Sequence, residues 1–520
     1  MSQADYRQFE NSGRRVVFNT AIMYVQFVLN VLIGLISVRL ILKALGQSDY
    51  GLYDVIAGVI SLFSFITASL AQSTMRFISV GLGAGGTKES AEIYSASFWL
   101  HFIISLIICL LLEIVAFAFG GSLNIPSERM STAIIVFHCM VISLFFNINI
   151  SPLNALVSSC ENFLFISILA IIDSVLKLCI AISLLYTAFD KLLLYGVLMM
   201  LVSVFNYFVY FVYSKKKYPL LFYIGRPDIP RIKSLTGFVG WTLLDTFSST
   251  INRQGYAIMF NKFFGTVMNT SFALSRQLEG QVFTISAGVV NSMKPQILKS
   301  YGNDDVDRMY RLSLTAGKFG LYMMSLVCIP LIVMMPDVLH LWLSDYPSDT
   351  IIFSRLLIGA CMMEQITRGL VYANQASGDI KWFSLIVSSL RILALPVSIV
   401  FLLLGYDAWV AILLFFIFES IGSLSRVFIL SKISDFKPSL FFKDVVFDVA
   451  IPLAVSFLFC TMIYPLGTGI TWMLIVILLT VVLFVILIFI VGLTCEEKVF
   501  LTSLIKGFIS NKIILRGVRK

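Results

Sequence analysis

From Trp472 to Val491 the chain reads Trp472-Met-Leu-Ile-Val-Ile-Leu-Leu-Thr-Val-Val-Leu-Phe-Val-Ile-Leu-Ile-Phe-Ile-Val491. Thr480 is the only polar residue in the run, and there is no charge. A helix needs about 20 apolar residues to cross the roughly 30 Å of bilayer hydrocarbon. A barrel strand would alternate apolar and polar positions with period two over about ten residues, and this run does not. Lipid offers the backbone no hydrogen-bond partners, so a continuous run of this kind has to be a helix. The stretch therefore reads as a transmembrane helix, and similar stretches recur along the whole chain.

The composition agrees. Of 520 residues, 58% are hydrophobic and 13% charged, with a mean hydropathy of +0.93. A soluble domain has about 45–50% apolar and about 25% charged residues. No soluble core could hide so much apolar surface, so the fold class is an all-α polytopic membrane protein. Soluble multidomain folds, disulfide scaffolds, disordered chains and nucleic-acid-binding domains are excluded. The net charge of +9 reports orientation in the membrane. The 8 cysteines are single, mostly inside apolar runs and without a CxxC, and the 3 histidines are far apart. Neither a structural metal nor a cofactor is expected.

About fourteen spans are expected, near 17–41, 52–80, 93–119, 131–157, 164–187, 192–213, 236–260, 268–295, 309–335, 351–376, 383–404, 409–431, 447–464 and 471–493. The first follows Arg14-Arg15 but is too long for a signal peptide and lacks a cleavage site, so it reads as retained. Placing the N-terminus in the cytoplasm puts most of the 38 Lys and Arg on that side. Lys215-Lys216-Lys217, Arg226, Arg231 and Lys233 fall between spans 6 and 7, and Lys506, Lys512, Arg516, Arg519 and Lys520 in the tail. The positive-inside bias puts both termini in the cytoplasm. The layout is then 1–213 (six spans), a basic linker 214–235, 236–431 (six spans), 447–493 (two spans) and a basic tail 494–520. The longest outer loop, 336–350, is too short to fold into an active site, so an enzyme is not expected.

The two six-span blocks share spaced residues. Arg76 near the end of span 2 and Lys294 near the end of span 8 are 218 residues apart. Glu161 and Asp379, Phe165 and Phe383, and Asp173 and Arg391 keep the same offset. Lys43-x-x-Gly46 matches Lys262-x-x-Gly265 with one residue of slippage. A repeat with an even number of spans keeps its orientation, so its halves are related by an axis along the membrane normal. Gly81-x-Gly83-x-x-Gly86 satisfies a nucleotide-loop pattern. It follows a lipid-spanning helix rather than a strand, so it reads as a flexible turn.

Ionisable groups inside spans carry the functional information, because each costs at least about 2.5–3.5 kcal/mol at mid-membrane. Asp173 and Lys177 (i,i+4), Arg276 and Glu279 (i,i+3), and Glu364 and Arg368 (i,i+4) can neutralise each other on one helix face. Asp245, Arg253, Arg391 and Glu419 lie in spans 7, 11 and 12. Arg39, Asp54 and Arg76 lie near span ends, where they can snorkel. Arg253 has no opposite charge within one turn, which makes it the sharpest candidate for a cavity. Two guanidinium groups, Arg253 and Arg276, would suit a diphosphate. The candidate substrate-binding residues are Arg253, Arg276, Glu279, Arg391 and Arg39, and the candidate ion-coupling residues are Asp245, Asp173 and Glu364. Pro152, Pro330, Pro396 and Pro452 lie within spans and Pro295 at the end of span 8, and could bend helices near a cavity.

The segment Val38-Arg39-Leu40-Ile41-Leu42-Lys43-Ala44-Leu45-Gly46-Gln47-Ser48-Asp49-Tyr50-Gly51-Leu52-Tyr53 resembles the junction of spans 1 and 2 in the polysaccharide-transporter (Wzx-type) flippases. These belong to the MOP superfamily with the MATE drug exporters and the lipid II flippase MurJ. The resemblance covers the whole chain in layout, as two six-helix lobes followed by two further helices. It implies a MATE-like fold and a transporter that flips undecaprenyl-pyrophosphate-linked oligosaccharide, a repeat unit of O-antigen, capsule or exopolysaccharide. It further implies a bacterial inner membrane and an alternating-access mechanism. Membrane lipid is the companion, and polysaccharide polymerase and glycosyltransferases are the candidate protein partners. MurJ-like members are similar in having an Arg/Glu pair at i,i+3 in span 8, which Arg276 and Glu279 match. Their arginines at the start and middle of span 1 are replaced here by Asn19, Gln26 and Asn30, and the first Arg within that span is Arg39. The competing reading is a MATE-type drug/cation antiporter, which would need a cavity dominated by acid. Basic residues are at least as prominent in these spans.

Overall fold

The computed structural model describes residues 3–61, 63–119, 127–226, 229–343, 346–434, 436–494 and 497–499. The basic tail from 500 onward and the side chain of Asp54 lie outside the described residues. The described elements are helical: α1 Gln3–Ser61, α2 Ser64–Gly83, α3 Thr87–Phe119, α4 Met130–Ser159, α5 Phe163–Tyr186, α6 Lys191–Lys217, α7 Ile229–Phe264, α8 Thr266–Gly302 and α9 Val306–Val333. They continue as α10 Met335–Leu343, α11 Asp349–Ile366, α12 Arg368–Ser377, α13 Lys381–Leu403, α14 Ala408–Ile433, α15 Pro438–Phe441, α16 Asp448–Ile463 and α17 Ile470–Leu487. The chain is an all-α multi-pass membrane protein.

Helix starts follow local capping chemistry. The side chain of Asn162 accepts a hydrogen bond from the Phe165 amide, Asp190 from the Leu192 and Leu193 amides, and Asp305 from the Arg308 amide. Gly46 (φ 77, ψ 171) breaks α1, and Gly265 (φ 80, ψ −169) separates α7 from α8. These two glycines, paired by the sequence offset, take the same left-handed conformation, which a side chain would disfavour.

Among the described residues, 10 helices are long and apolar enough to cross a membrane, or up to 11 if the bent pair α11 and α12 counts as one span. That pair is broken by 42°, at Thr367 rather than at a proline. Most of the difference from about fourteen expected spans lies in α2, α7 and α8. Each has the length to span but is too polar to pass the same test. Their polarity has a physical reason, because these three helices carry most of the contact between the two halves of the molecule. One group of helices packs as α1 on α5, α4 on α6 and α2 on α3 and α4. A second packs as α7 on α13, α8 on α9 and α11, and α13 on α14. The groups meet through α2 on α7 and α8, with α1 on α8 and α3 on α7.

The pair α16–α17 packs against α9. Lys318 of α9 is 2% exposed and donates to Asp448 at 2.7 Å and Glu497 at 2.9 Å. The Tyr322 hydroxyl, one turn on, donates to the Asp448 and Gly492 carbonyls. A buried amine held by two carboxylates thus pins the last two long helices to the second group.

Candidate functional site

The boundary between the groups is built from polar contacts at one end, the end holding the C-termini of α2, α4, α6 and α8. Thr20 of α1 shares a hydrogen bond with Ser292 of α8, and Tyr24 donates to the Ile285 carbonyl. Lys299 and Gln296 of α8 bond the Glu161 carboxylate, between α4 and α5, at 2.7 and 3.1 Å. Within the first group, Asn19 of α1 steadies this segment by donating to the Glu161 carbonyl. Further from that end, near the start of α2, Ser69 shares a hydrogen bond with Thr246 of α7. Arg76 of α2 donates to the Gln375 and Ala376 carbonyls at the C-terminus of α12 (2.6 and 3.1 Å), where a cation also meets the negative end of the helix dipole. Gly378 (φ 84) makes room for this: a Cβ there would sit 2.3 Å from Arg76 Nη2. The Gly81–Gly86 segment has a role that a flexible turn does not describe. A Cβ on Gly83 would lie 2.1 Å from the Lys299 carbonyl oxygen, and one on Gly302 2.0 Å from that of Val80. The two helices cross there backbone to backbone. Cys160 lies beside Glu161 in this closed end. Burial, with the Glu161 charge adding and Lys299 opposing, pushes its thiol up to about 11.

Directly behind α12 lies a buried cluster of charge. Arg391 of α13 grips Glu419 of α14 with two hydrogen bonds, at 3.0 and 2.7 Å, and donates to Asp245 of α7 at 3.1 Å. Glu364 of α11 pairs with Arg368 of α12, across the break at Thr367. The guanidinium of Arg426 lies 3.9 Å from both Glu364 and Glu419 and donates to the Thr367 hydroxyl at 3.2 Å. Three arginines and three carboxylates balance, which is what a dry interior demands of buried charge. Asp245 is half-exposed and opens onto a pocket whose lining also includes Gln72, Thr242, Glu364, Arg368, Tyr372, Asn374, Gln375, Ser384 and Arg426. Lys294 of α8 is buried over the Tyr372 ring at 4.7 Å.

The sequence-selected residues fall in different places. Asp245, Glu364 and Arg391 are brought together in this cluster. Arg276 and Glu279 pair at 2.7 Å, and the guanidinium packs on Phe272 and Phe415 at 5.2 and 4.9 Å. Asp173 pairs with Lys177 at 2.7 Å and accepts from Asn206 in the first group. Arg39 is exposed on α1. Arg253 is exposed on α7, seven residues beyond Thr246. That spacing returns to nearly the same helix face, about two turns further along α7 than the Ser69–Thr246 bond. Sequence reasoning missed Arg426. It lies seven residues after Glu419 on one face of α14, and that spacing was the available signal.

No family model matches the chain, and no curated protein matches it. Solved structures do. The chain resembles a MATE transporter in its bent conformation (TM-score 0.72, 15% identity, covering 83% of this chain and 96% of that one). It resembles a Vibrio cholerae MATE transporter (TM-score 0.68, 16% identity, 83% and 99%). It also resembles a MOP superfamily transporter from Pyrococcus furiosus, described as having a binding pocket of reversed polarity (TM-score 0.65, 14% identity, 83% and 96%). At these identities the likeness shows the fold, which is that of the MATE transporters.

Proposed function

We propose that the protein is an alternating-access transporter that flips polyprenyl-diphosphate-linked oligosaccharide from the inner to the outer leaflet of a bacterial inner membrane. One observation carries the reading. Most described acids deep within the spans are held by an arginine or lysine: Asp173 by Lys177, Asp245 and Glu419 by Arg391, Glu279 by Arg276, Glu364 by Arg368 and Asp448 by Lys318. Arg253, on the boundary helix α7, has no ion pair among the described residues. The surplus charge between the groups is therefore positive, and it suits an anion such as a lipid diphosphate. If both termini lie in the cytoplasm, as the positive-inside bias suggests, the closed end is the inner one. Arg253 meets the diphosphate, the polyprenyl tail stays in lipid, and parting of the inner contacts reopens the carrier to its substrate.

Liposomes reconstituted with the protein test this with a fluorescent polyprenyl-diphosphate-oligosaccharide and a cationic dye. We expect Arg253→Ala to slow lipid flipping at least tenfold and Arg253→Lys to restore part of it. The MATE-type cation/drug antiporter is the second reading, since the same fold houses both. Gradient-driven dye export with no lipid movement would establish it and sink the flippase.

A further inference from the structure

The pocket behind α12 holds polar atoms that nothing among the described residues satisfies. Asn374 Oδ1, Gln375 Oε1 and Arg426 Nε have no hydrogen-bond partner, on residues 0%, 8% and 2% exposed. All three residues line the one pocket. An unpaired buried polar atom is costly, so three in one place mark a site for something that both donates and accepts.

The chemistry of the lining narrows what that is. A diphosphate would meet the carboxylates of Asp245 and Glu364. A cation would meet Arg368 and Arg426, which already neutralise those carboxylates. A hydroxyl group both donates and accepts, matching two acceptors and one donor, and Thr242 and Ser384 add further neutral partners.

We propose that this pocket is the carbohydrate subsite, holding a sugar ring of the carried headgroup; the inference rests on the flippase reading above. The diphosphate then sits apart from it, at Arg253, eight residues or about 12 Å along α7 from Asp245. The pocket is shared between the halves of the molecule, because the Gln375 amide donates to Gln72 of α2 at 3.1 Å. A sugar seated here competes with that bond and sits beside the carbonyls that hold Arg76. Occupancy is thereby linked to parting of the inner end, and closure of that end expels the sugar.

The test uses the full-length protein in liposomes with two probes, the polyprenyl-diphosphate-oligosaccharide and the same lipid diphosphate without sugar. Gln375→Met removes the free acceptor, and Gln375→Asn withdraws it if the first variant does not fold. We expect the ratio of sugar-bearing to sugar-free flipping to fall about tenfold. Gln72→Met, which breaks the bond between halves but leaves the acceptor, should move both rates together. Equal slowing of both probes by Gln375→Met, or no effect on either, overturns the subsite and leaves a water-filled pocket. If the wild type moves neither probe, the flippase reading fails by itself. Calorimetric titration with free oligosaccharide then decides the subsite: binding lost in Gln375→Met sustains it, and no binding to the wild type overturns it.

Discussion

At the scale of single residues, Arg391 is the centre of the buried cluster, and it serves two carboxylates at once. Removing one partner of a buried pair leaves its mate charged and dry, at a cost of about 3–5 kcal/mol, whereas replacing both by apolar groups is often neutral. Arg391→Leu should therefore sharply lower thermal stability in detergent. Arg391→Leu with Glu419→Leu should recover most of it, which a melting curve of the three proteins checks. If the double variant melts as low as the single, the pairing is not what Arg391 contributes. The ingredients of this cluster were visible in the sequence as ionisable residues inside spans. Their assembly was not, because spacing reports only pairs on one helix. The pair Glu364 and Arg368 follows from i,i+4, but the grip of Arg391 on Glu419 and Asp245 joins α13 to the next helix, α14, and to α7, 146 residues earlier in the chain.

At the scale of helices, hydropathy located most spans to within a few residues, as at Met130–Ser159 and Phe163–Tyr186. It carried no sign of the break at Thr367, since a threonine between an apolar helix and a polar one leaves no mark in an average. Nor did it show why glycines cluster at the end of α2. The crossing explains them, and it makes Gly83→Val a selective lesion: each group can still fold, but α2 and α8 cannot close. Cys160 reports the difference. At pH 7 a thiol with a pKa of about 11 is ionised in roughly one molecule in ten thousand, and the thiolate is the reactive form. With Cys160 as the sole cysteine, maleimide labelling should be slow in the parent and at least tenfold faster with Gly83→Val. Equal rates would mean that the closed end does not depend on this crossing. The pair α16–α17 is a separate matter of attachment. Lys318→Met strands Asp448 and Glu497 and should loosen the pair from α9, seen as lower thermal stability. Adding Asp448→Asn and Glu497→Gln should restore it.

At the scale of the whole molecule, the proposed flippase function fixes how the membrane potential would act. In that reading a diphosphate carries about two negative charges, of which Arg253 cancels about one. The loaded carrier then crosses with about one net negative charge, and the empty one returns with the Arg253 cation uncovered. An inside-negative potential favours anions moving outward and cations moving inward, so it assists both steps. Over the full cycle about two negative charges still move outward, each worth about 2.3 kcal/mol per 100 mV. At about 1.4 kcal/mol per decade, 100 mV can sustain roughly a thousandfold excess of lipid in the outer leaflet. Liposomes carrying a potassium diffusion potential, with the lipid assayed in each leaflet at steady state, measure that excess. It should vanish when the potential is collapsed, and Arg253→Ala should slow its approach while leaving its final size intact, because a carrier changes the rate and not the driving force. A steady-state distribution indifferent to potential would mean that something other than the anion's charge powers the cycle.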